Sequence, residues 1–511
     1  MFNFVDDFLN RTTMYRLVLY VLLFFFVVAL ALSFFKLLPY APADLLLSAV
    51  IITTVSWITN FVFARVFEAP ANVESVYITA LILFCIITPP QGNDYSQFLS
   101  LALWASIWSM ASKYIFAIGK KHIFNPVAFA VTLTAFTINE SASWWIGTMY
   151  MLPFVFIGGV LIVRKIRRVD LIFSFFIVAF VTIISFAFIK GTSPVIALYK
   201  TIVNSAFLFF AFVMLTEPLT TPPTKWFRVG YGALVGFLFV PAIHIGSLYS
   251  TPELALVIGN IFSYIVSPKE KLILCLKERV KVADNTYDFV FTNNRNFTFR
   301  PGQYMEWTLS HRDPDSRGNR RYFTIASSPT EKDVRIGVRF YPEPSSFKNR
   351  IAFLEKGDTI VASQCAGDFV LPDKKDQKIA FIAGGIGATP FRSMMKYLLD
   401  KNEKRPIIML YSNKTISDIA YKDIFDSAES MLGIKTVYAV TNSDKNEMQP
   451  RWPIVYGFID AEMIKKEVPD YLERTFYVSG PRSMVTTFEK TLRDMGVTRS
   501  KIKTDFFPGF V

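Results

Sequence analysis

Ten runs of predominantly apolar residues occupy the first 268 positions of this chain, near 15–36, 43–64, 75–90, 97–118, 124–138, 144–163, 170–189, 194–215, 227–247 and 252–267. A helix that crosses a bilayer needs about 20 such residues, so the pattern predicts a polytopic helical membrane domain over 1–268. The third, fifth and tenth runs are short and would be tilted, broken or partly re-entrant. From Glu270 the pattern becomes that of an ordinary charged α/β enzyme. Over all 511 residues only 19% are charged and 52% are hydrophobic, whereas a soluble enzyme carries roughly a quarter charged residues.

The sparse charges of the first half fall on one side of a ten-helix arrangement. Arg11, Arg16, Arg65, Lys120, Lys121, Arg164 to Arg168, Lys225, Arg228 and Lys269 share that side, while Lys36, Lys190, Asp94 and Glu140 lie opposite. By the positive-inside rule this places both termini in the cytoplasm and the chain in the cytoplasmic membrane. The same asymmetry explains much of the net charge of +13 without nucleic acid. The first run is too long for a cleavable leader and lacks a small-residue cleavage site. Cys85, Cys275 and Cys365 are too scattered for a disulfide framework or an iron–sulfur site, and no metal site is expected.

The apolar half repeats itself. VESVYITALILFCIITPP at 73–90 is similar to VNSAFLFFAFVMLTEPL at 203–219, each ending in Thr-x-Pro, at 88–90 and 216–218. Ten helices split into two sets of five, and an odd number requires the halves to be inverted, with a functional site near their interface. Asn125, Asn204, Glu217 and Asn260 are the polar residues to watch there, because polar groups inside a bilayer are costly. They could bind a flavin ring, a quinone or an ion. Equally, Asn125 and Glu217 could satisfy backbone groups at helix ends beside prolines.

Beyond 270, KLILCLKERVKVADNTYDFVFT at 271–292 alternates as half-buried antiparallel strands do. From about 374, strands and helices alternate as in a parallel sheet. KIAFIAGGIGATPFRSMMKYLL at 378–399 reads as a buried strand, a glycine-rich turn and a helix. Its glycines at 384, 385 and 387 would let backbone amides approach a pyrophosphate at a helix N-terminus.

RYFTIASSP (321–329), FIAGGIGATP (381–390) and YVSGP (477–481) in this order resemble the ferredoxin–NADP⁺ reductase superfamily. The resemblance implies an antiparallel β-barrel FAD domain at 270–373 and an α/β NAD(P) domain at 374–511. It implies that Arg321 neutralises the FAD pyrophosphate, Phe323 stacks on the isoalloxazine and Thr324 bonds near its reactive nitrogen. Ser345 and Ser346 stand at the second flavin-phosphate segment. Gly384, Gly385, Gly387, Thr389 and Pro390 would hold NAD(P)H, with Ser412 and Lys414 near the adenosine ribose, where NADH and NADPH stay undecided. Ser479, replacing the usual cysteine, with Gly480 and Pro481, would lie beside the nicotinamide. Phe507 or Phe510 would cover the flavin, or either could be core.

KKHIFNPVAFAVTLTAF (120–136), FAFVMLTEPLTTPPTKWFRVGYGALVGF (210–237) and TPELALVIGNIFSYIVSP (251–268) resemble the B subunit of sodium-pumping NADH:quinone reductase and the D subunit of Rnf complexes. That family carries a flavin phosphate linked to a threonine in Ser-Gly-Ala-Thr. This chain has no such sequence; Gly147-Thr148 is the nearest remnant, and Thr148 reads as a helix residue.

Together these imply an FAD-dependent NAD(P)H oxidoreductase passing electrons to a membrane flavin such as FMN, a quinone or a partner, with sister subunits and ion coupling as possibilities. One alternative resembles ferric reductases and NADPH oxidases, which stack two haems on four histidines. This chain has three, His122, His244 and His311, and the first two would sit nearly a membrane thickness apart. The other alternative is a reductase on a transporter-like anchor.

Overall fold

The computed structural model describes residues 9, 12–67, 73–91, 95–118, 121–166, 168–266, 271–292, 297–311, 315, 319–442 and 452–505. Phe507 and Phe510 lie outside them. The chain divides into two compact units, Met1–Lys269 and Glu270–Val511.

The first unit is helical. Its helices are α1 (Met14–Phe34), α2 (Pro42–Val66), α3 (Val73–Ile86), α4 (Ser96–Ile115), α5 (Pro126–Thr137), α6 (Leu152–Ile166), α7 (Val169–Ile189), α8 (Pro194–Val203), α9 (Phe207–Met214), α10 (Lys225–Leu238) and α11 (Pro252–Val266). Prolines open α2, α5, α8 and α11, where the missing N–H would have no helical partner anyway. The expected tenth-by-tenth layout corresponds to these segments once α8 and α9, bent by 65° at their junction, are taken as one. Length is where the expectation needs correcting. Among the described residues α1, α2 and α7 are long and apolar enough to cross a membrane, and the bent pair makes four. Ten full spans are not clearly present: α3, α5, α6, α10 and α11 have 15 residues or fewer, and α4, though 20 residues long, is not apolar enough. Thr148 also departs from expectation: it sits in the bend before α6 rather than in a helix.

The two halves of this unit share one order of elements. A two-stranded hairpin, β1 (Ala117–Ile118) with β2 (Lys121–His122), separates α4 from α5; another, β3 (His244–Ile245) with β4 (Leu248–Tyr249), separates α10 from α11. Packing follows the same scheme, with α2 on α4 in one half and α7 on α10 in the other. At Gly236 an added Cβ would stand 2.6 Å from the Phe175 carbonyl oxygen, so only glycine admits the α7 backbone this close. Across the halves α1 meets α6, and α5 meets α11. The core is aromatic, with Phe175, Phe207, Phe210 and Tyr231 fully buried. Outward, α7 exposes Phe173, Ile177 and Val181 one turn apart.

The second unit holds two sheets. Strands β5 (Lys271–Ala283), β6 (Thr286–Thr292), β7 (Tyr304–Thr308), β8 (Arg320–Thr324), β9 (Val334–Arg339) and β10 (Thr359–Ala366) form an antiparallel sheet in the order β8-β7-β10-β5-β6-β9. Its end strands approach one another where the Ala326 N–H donates to the Arg335 carbonyl at 2.8 Å. A short helix, α12 (Ser346–Ala352), follows β9. The second sheet is parallel, ordered β14-β13-β12-β11-β15-β16. Its strands are β11 (Ile379–Gly384), β12 (Ile407–Asn413), β13 (Lys435–Val440), β14 (Ile454–Tyr456), β15 (Thr475–Ser479) and β16 (Ile502–Asp505). Helices α13 (Thr389–Asp400), α14 (Lys422–Leu432), α15 (Ala461–Glu467) and α16 (Arg482–Asp494) complete it. Every residue of β11 is buried, as a central parallel strand requires.

Candidate active site

Chain order reverses beside β11: β12 lies on one side of it and β15 on the other. Ligands of open α/β sheets bind at such a switch point, outside the carboxyl ends of the strands. There β11 runs into a 3₁₀ turn, Gly385–Ala388, and then α13. Gly385 has φ +53°, which suits glycine. A Cβ on Gly387 would lie 2.6 Å from both Gly480 Cα and the Ser479 carbonyl oxygen. The turn and the Ser479-Gly480-Pro481 segment are therefore in direct backbone contact. Thr389 fastens the turn by donating its hydroxyl to the Ile386 carbonyl at 3.2 Å, and Pro390 occupies the first turn of α13. Ser412 is in register with Gly384, whereas Lys414 points to solvent.

Ser479 pairs in register with Asp505 of β16. Burial pushes Asp505 up to about 7, with the Thr324 side chain opposing. Thr324 and Ser479 are both buried. The sequence signal for Asp505 was only its place one residue before the aromatic tail, and composition gave it no distinction from other aspartates.

Arg321 is 3% exposed. Its Nη2 lies 3.0 and 3.1 Å from Asp315 Oδ1 and Oδ2. The Ser346 N–H donates to Asp315 Oδ2 at 3.1 Å, and the Asp315 N–H donates to Ser346 Oγ at 2.9 Å. His311 Nε2 is 3.0 Å from the same hydroxyl. Ser345 instead caps α12, accepting the Lys348 N–H at 3.3 Å. The rings of Phe323 and Phe347 are 5.8 Å apart, and the Arg321 guanidinium lies 5.5 Å from Phe347. A buried guanidinium and an amide N–H that already gather one carboxylate, with the Ser346 hydroxyl beside them, form a donor set that suits a diphosphate. The glycine turn suits the second nucleotide for the backbone reasons above.

The first unit has its own polar cluster. Glu217 Oε1 is 3.2 Å from His122 Nε2, and Oε2 accepts from Asn125 Nδ2 at 2.9 Å and Thr220 Oγ1 at 3.1 Å. Asn260 Oδ1 accepts the Asn125 N–H at 2.7 Å, and its Nδ2 donates to the Tyr231 hydroxyl at 3.1 Å. Three of the four expected polar residues are thus brought together, along with Tyr231, which sequence inspection passed over. Asn204 is elsewhere: it ends α8, exposed. Asn125 also caps α5 through its Oδ1 and the Ala128 N–H at 3.0 Å, so the structural and functional readings coincide on one side chain.

A family model described as oxidoreductase NAD-binding domain matches residues 381–490. The glycine betaine monooxygenase reductase subunit of Chromohalobacter salexigens is 27% identical over 234 residues, 45% of this chain and 62% of that protein. The flavohemoprotein of Bacillus subtilis is 26% identical over 210 residues, 41% of this chain and 51% of its own length. Among solved structures, a cytochrome P450 reductase from Amycolatopsis aligns at a TM-score of 0.41 and 21% identity, over 47% of this chain and 70% of that one. The chain spans between about half and somewhat under two thirds of the length of these two curated relatives. The C-terminal half is similar to reductases and carries the match to an oxidoreductase NAD-binding domain. What the chain matches, over that half, are oxidoreductases.

Proposed function

We propose that this chain is a membrane-bound NAD(P)H oxidoreductase whose helical unit receives, or delivers onward, the electrons collected by its flavin region. The observation that carries this is one polypeptide holding a nucleotide-binding crevice and a helical unit with outward apolar stripes and an internal charged cluster. Outward Phe173, Ile177 and Val181 suit lipid. An internal Glu217 with imidazole, amide and hydroxyl partners suits a quinone, a second flavin or an ion, as in the sodium-pumping reductase and Rnf subunits that this half resembles.

Arg321 and Ser346 would hold the FAD diphosphate, and Phe323 would lie against its ring. FAD, when bound, accepts two electrons as a hydride and releases them one at a time. The glycine turn and Ser479-Gly480-Pro481 would hold the two ends of NAD(P)H against it. Thr324 would orient the flavin by a hydrogen bond, and Asp505, behind Thr324, would hold a proton on its carboxyl near neutrality. The inner-membrane placement with the reductase in the cytoplasm follows from the charge asymmetry of the helical half.

A second reading, a reductase that serves a separate protein, is favoured by the similarity to a monooxygenase reductase subunit. The discriminating experiment is the NADH-reduced minus oxidised absorbance spectrum of detergent-purified protein, with flavin counted before and after acid precipitation. A second flavin, or quinone reduction by the purified chain alone, supports the membrane acceptor. One extractable FAD with no quinone reduction favours the separate partner. A haem band defeats both.

A further inference from the structure

Asp315 lies in the connection between β7 and β8, and its carboxylate takes both oxygens to the Arg321 guanidinium and one also to the Ser346 N–H. Its own N–H closes the arrangement on Ser346 Oγ. Arg321 is 3% exposed and Asp315 25%. A buried guanidinium is costly without an anion, and a carboxylate and a diphosphate each offer it a pair of anionic acceptor oxygens. Two anions cannot share that position, because their repulsion at contact distance is large in a partly desolvated site. Whichever is present excludes the other.

We propose that Asp315 is an internal competitor for the anion seat at Arg321, filling it in the flavin-free protein and leaving it when the FAD diphosphate arrives. This rests on the assignment of Arg321 and Ser346 to the flavin diphosphate. Its effect is to keep the empty site intact while lowering apparent FAD affinity by the fraction of molecules in which the seat is open. The arrangement also sets a sign. A residue that merely positioned Arg321 would strengthen FAD binding, and its removal would weaken it. A competitor does the reverse.

The test uses the full chain in detergent, stripped of flavin, with FAD and riboflavin titrated by flavin fluorescence against wild type, Asp315→Asn and Asp315→Ala. The competitor predicts FAD binding about tenfold tighter in both variants, with riboflavin, which has no phosphate, unchanged. FAD affinity that is equal or weaker in the variants overturns it, as does an equal gain for riboflavin. Two variants guard against one failing to fold, which near-ultraviolet circular dichroism of the apo protein reports. Arg321→Gln separates the two levels of the argument. If it leaves FAD affinity untouched, the diphosphate assignment itself falls; if it weakens FAD but Asp315→Asn does not strengthen it, only the competitor falls.

Discussion

The phenolic hydroxyl of Tyr421 donates to Asp288 Oδ1 at 2.6 Å, joining the first residues of α14's approach to strand β6 of the antiparallel sheet. Both groups are buried, and Tyr421 holds φ +60°, a left-handed conformation uncommon for a tyrosine. Arg392 of α13 ties the same seam by donating its Nη2 to Glu331 Oε1 at 2.9 Å and its Nη1 to the Ala326 carbonyl at 2.9 Å. Arg339 of β9 adds an ion pair with Asp418 at 2.7 Å. The two sheets of the second unit are therefore held by buried charged contacts rather than by apolar area alone.

Removing the phenol leaves a buried carboxyl short of a donor. Tyr421→Phe is expected to lower stability by about 1–3 kcal/mol. Burial already pushes Asp288 up to about 6, with the Tyr421 bond opposing that rise. The loss should thus be larger at pH 8, where the carboxylate is charged, than at pH 5. Thermal unfolding of the variant at the two pH values checks this, and equal losses would defeat it.

Asp505 makes a linkage prediction. Its folded value of about 7 stands above the ordinary carboxyl value of 3.8, so between those values the folded chain holds a proton that the unfolded chain lacks. Stability must then fall as pH rises from about 4 to 7, by up to about 1.4 kcal/mol per unit, and level off above. Asp505→Asn should remove that slope and also remove a step near neutrality in flavin reduction by NADH. Denaturant unfolding and stopped-flow reduction across pH 5–8 read the two effects.

Gly387→Ala drives a methyl into the Gly480 backbone. Overpacking of this kind costs about 1–3 kcal/mol, so KM for NAD(P)H should rise about tenfold or more. FAD content should not change, because the proposed flavin seat, at Arg321 and Ser346, lies on other elements. Steady-state kinetics with ferricyanide, beside a flavin count, decides it.

Glu217→Gln and Asn260→Ala test the helical cluster. Losing a charge-assisted bond is worth about 1.5–3 kcal/mol, or about ten- to a hundredfold in rate. NADH:quinone activity should fall by that range while NADH:ferricyanide activity holds. A parallel loss of both would place the cluster in folding rather than in electron delivery.

What the sequence discloses here is local. The glycine turn, the Arg321–Thr324 strand and the Thr-x-Pro repeats are legible because neighbours along the chain fix each conformation. Asp315, Asp505 and Tyr421 are not, since each acquires its meaning from a partner supplied by another element, such as the β15–β16 register that sets Asp505 beside Ser479. Glu217 lies between those cases. Its expected intramembrane position flagged it, yet nothing in the order of residues announced that Asn125 and Asn260 would converge on it while Asn204 would not. Helix length was misjudged for a related reason: hydropathy runs continue through prolines and turns at which helices stop.

The bare backbone contact at Gly387 and Gly480 also limits how this enzyme can change over generations. On the proposed assignment, the strip facing the phosphates and the strip facing the nicotinamide abut with no side chain between them to absorb an adjustment. Drift in preference for one end of the dinucleotide must then be accommodated at the other, and variation in cofactor choice is pushed outward to the proposed ribose-side residues, where Lys414 is exposed.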